Sequence, residues 1–216
     1  MKIGIYGGTV NASGTNGAGI GGGSAATGFY AGQQYYVGGG GGTNPACCRY
    51  GYGFVEGANA AAAEMGVNVE VNYSWEYGAS FSASQELQAM ASGWYETGTE
   101  IIFACGGSMF QSVAAAASAN DAAVVGVDVD QSFESDTVVT SAMKGLAPTV
   151  KTALDAIKDG SWESDYAGKI DNLGLVSENP EDNYVQLPME TTQWDDNFTV
   201  DDYKDLVKKL YNGEIE

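Results

Sequence analysis

Four short runs hold residue types able to grip a small molecule. "YSWEYGASF" (73–81) carries Trp75, Tyr77 and Phe81. A flat apolar ring of this kind stacks on a heterocycle or on the face of a sugar. "FACGGS" (103–108) ends in Gly106, Gly107 and a serine. Backbone without Cβ lets a ligand come close, and a helix starting there offers free N–H donors. "GVDVDQ" (126–131) carries Asp128 and Asp130. A carboxylate accepts two hydrogen bonds from vicinal hydroxyls or ring N–H groups. Lys144 follows in "TSAMKG" as a cation. Each run also has a structural use: aromatic core, tight strand-to-helix turn, solvated acidic loop. Together they describe a polar and aromatic cleft with no evident nucleophile, which serves orientation and affinity rather than proton transfer.

Composition narrows the chemistry further. The 216 residues include no histidine, which removes Ser-His-Asp and Cys-His systems and His-ligated metals. Cys47, Cys48 and Cys105 are three in number and two are adjacent. They lack zinc spacing and the even count of a disulfide framework, and are read as small buried residues. We therefore expect no catalytic residue, no metal and no cofactor. Lys and Arg number 9 against 28 Asp and Glu, a formal charge of −19. No basic patch exists to neutralise phosphates, which argues against nucleic acid as a partner. No apolar run reaches the ~18–20 residues that span a bilayer, and no signal peptide is visible.

The elements that must position these runs are legible from about residue 49. "YGFVEGANAAAAEMG" reads as a helix ending at Gly66. "VNVEVNY" alternates like a strand. "SASQELQAMASGWYETG" is a helix, with Ser82 or Ser84 as its N-cap and Gly98 past its end. "TEIIFAC", "AAVVGVD" and "TVVTSAM" are near-continuous apolar strands, and "SMFQSVAAAASAN" is an apolar helix between the first two. "LAPTVKTALDAIKDG" is a helix with Pro148 in its first turn. "AGKIDNLGLV" and "YVQLP" read as shorter strands. "TVDDYKDLVKKLYNGEI" is an amphipathic helix with acids early and lysines late. Alternation of helices with apolar strands predicts an α/β fold, a parallel sheet covered on both faces. Ligands of such sheets bind beyond the carboxyl ends of the strands, where the first three runs fall, and Lys144 follows at the start of the next helix region.

The N-terminal region reads differently. "KIGIYGG" (2–8) is a short buried strand. Residues 9–45 are glycine-dense and contain a G-x-G-x-x-G match at Gly17, Gly19 and Gly22. A dinucleotide fingerprint needs that motif directly between strand and helix, with an acid ~20 residues on. The next acid here is Glu56, so the match is read as coincidental. "MKIGIYGGTVN" also resembles the opening of nicotinate-nucleotide adenylyltransferases. Those enzymes hold phosphate with an H-x-G-H motif, which a chain without histidine lacks.

The runs "RYGYGFVEGANAAAAEMG", "SWYETGTEIIFACGG", "VVGVDVDQS", "VVTSAMKG" and "LPMETTQW" together resemble the BMP (basic membrane protein), or PnrA-like, family of ABC-transporter substrate-binding lipoproteins. The likeness covers about residues 46–216. It implies a type I periplasmic-binding fold whose lobes close on a ligand, most often a purine nucleoside. One lobe would be largely complete here and the other partial, since the N-terminal part of a full-length member has no counterpart. By resemblance, Phe81 stacks on the ligand, Gly106 and Gly107 form the turn against it, and Asp128 and Lys144 contact it. Trp75 shares the loop of Phe81. The implied partner is an ABC permease, and the implied place is extracytoplasmic at the cell membrane, with no lipoprotein cysteine after a signal sequence to anchor it. Deleting Val10 to Thr43 gives "KIGIYGGTNPACCRYGYGF", continuous in the family pattern. The organisation expected is therefore a strand at 1–8, a Gly-rich insertion at 9–45, a ligand-binding α/β lobe at 46–187, and a C-terminal crossover and helix at 188–216. The alternative is a degraded lobe that self-associates as a homo-oligomer through the Gly/Tyr-rich insert.

Overall fold

A computed structural model describes residues 8–12 and 34–215. Among them lies a seven-stranded sheet in the order β1-β3-β2-β4-β5-β6-β7. Its strands are β1 (Gly8–Ala12), β2 (Gln34–Gly41), β3 (Asn68–Ser74), β4 (Ile101–Cys105), β5 (Ala123–Asp128), β6 (Val138–Lys144) and β7 (Val185–Gln186). The five strands β2 to β6 run parallel, and β1 and β7 close the two edges antiparallel. The helices are α1 (Pro45–Met65), α2 (Gln85–Glu96), α3 (Phe110–Ala119), α4 (Leu146–Asp159), α5 (Trp162–Asp165) and α6 (Val200–Tyr211).

The chain leaves β2 through α1 to reach β3 on one side. It then crosses back through α2 to β4 on the other side. Right-handed crossovers in opposite directions must put their helices on opposite faces. The packing follows. Ile102, Ala104, Val124 and Val138 meet Leu87, Ala91 and Tyr95 of α2 and Phe110 and Val113 of α3. The alternate residues Phe103, Cys105, Val125, Val127 and Val139 meet Cys47, Tyr50 and Phe54 of α1. Period-two alternation thus splits each strand between two cores, and both faces are apolar because both are covered.

Helix ends follow local chemistry. Asn44 caps α1, its Oδ1 accepting from Cys47 N at 3.0 Å, with Pro45 at the first helical position. Gly66 ends α1 in the left-handed conformation at φ 67°. Ser84, not Ser82, caps α2 by accepting from Leu87 N at 3.1 Å. Thr199 and Asp202 form a reciprocal capping box on α6.

Two expectations meet a different arrangement. The expected strand at 2–8 lies outside the described residues except for Gly8, which opens β1. The strand that feeds α1 is instead Gln34–Gly41, within the stretch expected to be inserted, and it lies between β3 and β4 in the sheet. Glycines ordinarily weaken a strand. Here the missing side chains make room for large neighbours. A Cβ on Gly38 would come within 2.8 Å of the Trp94 ring, and one on Gly39 within 3.2 Å of the Tyr73 ring. The second difference is "AGKIDNLGLV", which forms no strand. Asn183 Oδ1 accepts from Val176 N and Ser177 N at 2.6 and 2.8 Å, and Tyr184 N donates to the Gly174 carbonyl at 2.9 Å. A buried asparagine takes the place of a partner strand.

Candidate functional site

Sheet order reverses between β2 and β4, where the chain goes one way to β3 and the other way to β5. The carboxyl ends of adjacent strands then lead to opposite faces and leave a crevice between them. Two turns border it: Gly41-Gly42-Thr43-Asn44 into α1, and Cys105-Gly106-Gly107 into the 3-10 turn Gly107–Met109 that precedes α3.

Phe81 reaches this crevice. It follows the 3-10 turn Gly78–Ser80 and holds φ 53°, a left-handed conformation uncommon for a bulky residue. Ser108 Oγ donates to the Phe81 carbonyl at 3.0 Å, fixing the loop to the Gly107 turn. The ring lies against two bare backbones. A Cβ on Gly42 would be 2.5 Å from Phe81 Cζ, and one on Gly106 would be 3.0 Å from Phe81 Cδ1 and 2.7 Å from Met109 Sδ. Gly106 is thus a glycine because the ring and Met109 occupy the space a side chain would need. Phe81 as a whole keeps 37% of its surface exposed.

Asp128 ends β5 at φ 71°, also left-handed. Lys144 ends β6, and its Nζ lies 2.5 Å from Asp128 Oδ1. Each side chain is about one-third exposed, at 32% and 33%. The contact is an ion pair rather than an aligned hydrogen bond, since Asp128 Oδ1 is sealed from solvent without a hydrogen-bonding partner. Lys144 Nζ also sits 5.3 Å over the Tyr50 ring, a cation–π contact with α1. Tyr50 in turn donates to the Met143 carbonyl at 3.3 Å. Burial, and then the Asp128 charge, push the Tyr50 hydroxyl far above its ordinary pKa, so it stays a neutral donor.

The two aspartates of "GVDVDQ" have separate duties. Asp130 Oδ2 accepts from Thr191 Oγ1 at 2.7 Å, and its Oδ1 from Ser132 N at 3.0 Å. Burial favours protonation, but these hydrogen bonds outweigh it and hold the carboxyl below its ordinary range. Asp130 therefore ties the 188–194 segment to the loop after β5, while Asp128 faces Lys144.

Of the residues singled out from sequence, Phe81, Gly106 and Gly107 meet in one cluster, and Asp128 and Lys144 pair at the ends of β5 and β6. Trp75 departs from both. Its ring meets Tyr73 edge-on at 5.5 Å and packs on the α1–β3 core. Sequence reading missed Tyr50 and Gln131. Gln131 is buried, its Oε1 accepting from Val127 N at 2.8 Å and its N–H donating to Ser141 Oγ at 3.1 Å. It fixes the turn after β5 and so the backbone of Asp128. Its place directly after "VD" was the available signal. Nothing in the spacing of Tyr50 points 94 residues on to Lys144.

The arrangement offers a half-exposed ring, a glycine turn, a carboxylate and an ammonium. Burial, then its neighbour Cys47, push the Cys105 thiol far above the ordinary thiol range, so it stays protonated in the folded chain.

A doubly wound α/β lobe with polar and aromatic residues at its switch point describes a fold class rather than a particular ligand. Comparison with known proteins supplies the family: the chain matches the family described as "ABC transporter substrate-binding protein PnrA-like" over residues 8–216 and belongs to it. A curated relative, the "ABC transporter nucleoside-binding protein BmpA" of Lactococcus lactis, is 26% identical over 132 residues, covering 53% of this chain and 36% of the relative. Solved solute-binding proteins of ABC transporter systems from Aeropyrum pernix K1 and Conexibacter woesei share the fold, with TM-scores of 0.59 and 0.56 at 21% and 22% identity. They cover 88% and 85% of this chain, and 58% and 56% of their own. A transcriptional activator of the comK gene from Bacillus halodurans has the fold at a TM-score of 0.57 and 14% identity, covering 84% of this chain and 57% of its own. The chain thus spans little more than half the length of these solved relatives and about a third of the curated one.

Proposed function

We propose that this chain captures a purine nucleoside for an ABC importer. The observation that carries the reading is that the Asp128–Lys144 pair and the ring of Phe81 both lie at the carboxyl-end edge of the same parallel sheet. A ribose presents two adjacent hydroxyls. Asp128 accepts from one while Lys144 donates to the other, and their paired charges make this charge-assisted recognition without net charge. A purine presents a flat face, which stacks on the exposed face of Phe81. The curated relative's name supports the ligand class. Asp128, Lys144, Phe81, Gly106 and Gly107 are the contacts; Trp75 supports the loop from its core side.

Closure of a second lobe over this face would favour the liganded arrangement, and the permease would read that closure. This work lies outside the cytoplasm, next to the membrane that holds the permease. Among the described residues no helix is long and apolar enough to cross a membrane. The self-association reading draws no comparable support: Tyr35 and Tyr36, two aromatics of the Gly/Tyr-rich stretch, lie in β2 within the sheet.

Calorimetric titration with guanosine, adenosine, inosine and their 2′,3′-dideoxy forms tests the reading. Heat with the ribonucleosides, much weakened for the dideoxy forms, is expected. Folded protein that gives no heat with any of them contradicts it.

A further inference from the structure

Cys47 and Cys105 lie 58 residues apart and meet under the crevice. Cys47 is in the first turn of α1, Cys105 is the last residue of β4, and they are 6% and 2% exposed. Both belong to one apolar cluster with Phe103, Val125 and Val127. The Cys105 thiol lies 4.0 Å from the Cys47 carbonyl oxygen. Cys47 Sγ accepts from Asn44 Nδ2 at 3.4 Å. Cys48 has other company: its thiol donates to the Thr43 carbonyl at 3.5 Å.

The three thiols allow three pairings, and the geometry singles out one. A 47–48 bridge joins Cα atoms about 3.8 Å apart, closer than the roughly 4.4–6.8 Å a disulfide prefers. It would also have to form inside a helix turn. The Cys48 thiol is engaged with the Thr43 carbonyl, and the Cys105 thiol lies against Cys47. Cys47 and Cys105 share one apolar cluster, with the Cys105 thiol against the Cys47 backbone.

We propose that Cys47 and Cys105 form a disulfide in an oxidising environment, stapling the start of α1 to the end of β4 across the switch point. The oxidant is a small-molecule disulfide, RSSR. The Cys47 thiolate attacks one sulfur, forming a mixed disulfide and releasing one thiol. Cys105 loses its proton and attacks the Cys47 sulfur, forming the protein bridge and releasing the second thiol. Two protein thiols are oxidised, and one RSSR is reduced to two RSH. Burial keeps Cys105 protonated in the folded chain, so the bridge closes during folding or on opening of the 42–47 turn. Gly106 directly follows Cys105, so the staple fixes the backbone on which Phe81 rests. Oxidising compartments retain such bridges.

The test is refolding in a glutathione redox buffer, alkylation of the remaining thiols and peptide mapping. The expected product has one bridge between Cys47 and Cys105, alkylated Cys48, and a melting temperature several degrees above that of the reduced chain. Cys48→Ser keeps the bridge and the gain, whereas Cys105→Ser loses both. Three alkylated thiols, a glutathione adduct in place of the bridge, another pairing, or a bridged chain that melts lower would each overturn the proposal. The bridge stands apart from the nucleoside reading: absence of guanosine heat in both redox forms would remove that reading and leave the mapped bridge untouched.

Discussion

Asp128 carries two burdens, one chemical and one conformational. Its carboxylate pairs with Lys144, and its backbone sits at φ 71°. Alanine in a left-handed position costs about 1–2 kcal/mol, a penalty that asparagine largely escapes. Asp128→Ala is therefore expected to lower both stability and nucleoside affinity. Asp128→Asn should lose affinity while keeping most of the stability. Hydrogen bonds to charged groups contribute about 1.5–3 kcal/mol, so the loss of affinity is roughly 10- to 150-fold. Urea melts and calorimetry on the two variants separate the burdens. Phe81→Ala removes the stacking face, and stacking on an aromatic is worth about 1–3 kcal/mol per base. A 5- to 150-fold weaker nucleoside affinity, measured by the same titration, is expected. The position of Asp128 and Lys144 at the strand ends was legible because the apolar runs of a parallel sheet mark where its strands stop. Tyr50 and Trp75 were not, because an aromatic's partner depends on which face its element buries.

Elements gave a sharper lesson. The apolar strands β4 and β5 declare themselves, since burial on both faces leaves an unbroken hydrophobic run. β2 does not. Its sequence is QYYVGGGG, and glycine has no periodicity to read. What makes it a central strand is the volume of Tyr73 and Trp94, encoded well downstream. A Cβ on Gly41 would lie 2.1 Å from the Cys105 carbonyl oxygen, a backbone atom that cannot swing away. Gly41→Ala is expected to destabilise by more than the ~1–3 kcal/mol typical of overpacking, and denaturant titration reads this directly. The segment 188–194 is held in a different way, by Asp130 and Thr191. Asp130's folded pKa is depressed below the ordinary 3.8. Its contribution is therefore fully present above the unfolded value near 4 and fades as pH falls through the folded value. Thr191→Val should narrow the gap in stability between pH 7 and pH 3, as measured by urea melts at both.

The whole molecule reads as one well-covered lobe with an open flank. Leu146, Val150, Leu154 and Ile157 lie along α4 and are each more than half exposed, while Ala156 on the other side of the helix is buried. Because Leu154 touches solvent in this chain, Leu154→Lys should change its stability by no more than about 0.5 kcal/mol, the usual range for exposed positions. A melt of that variant checks whether the flank is truly uncovered in solution. Fold class and family were legible because blocks of sequence recur in order; the ligand was not, because a carboxylate, a cation and a ring suit more than one solute. The most direct measurement is a crystal structure of the chain grown with guanosine. The account predicts the purine on the face of Phe81, with the ribose hydroxyls bonded to Asp128 and Lys144. Guanosine bound elsewhere, or its absence from this crevice at saturating concentration, would contradict it.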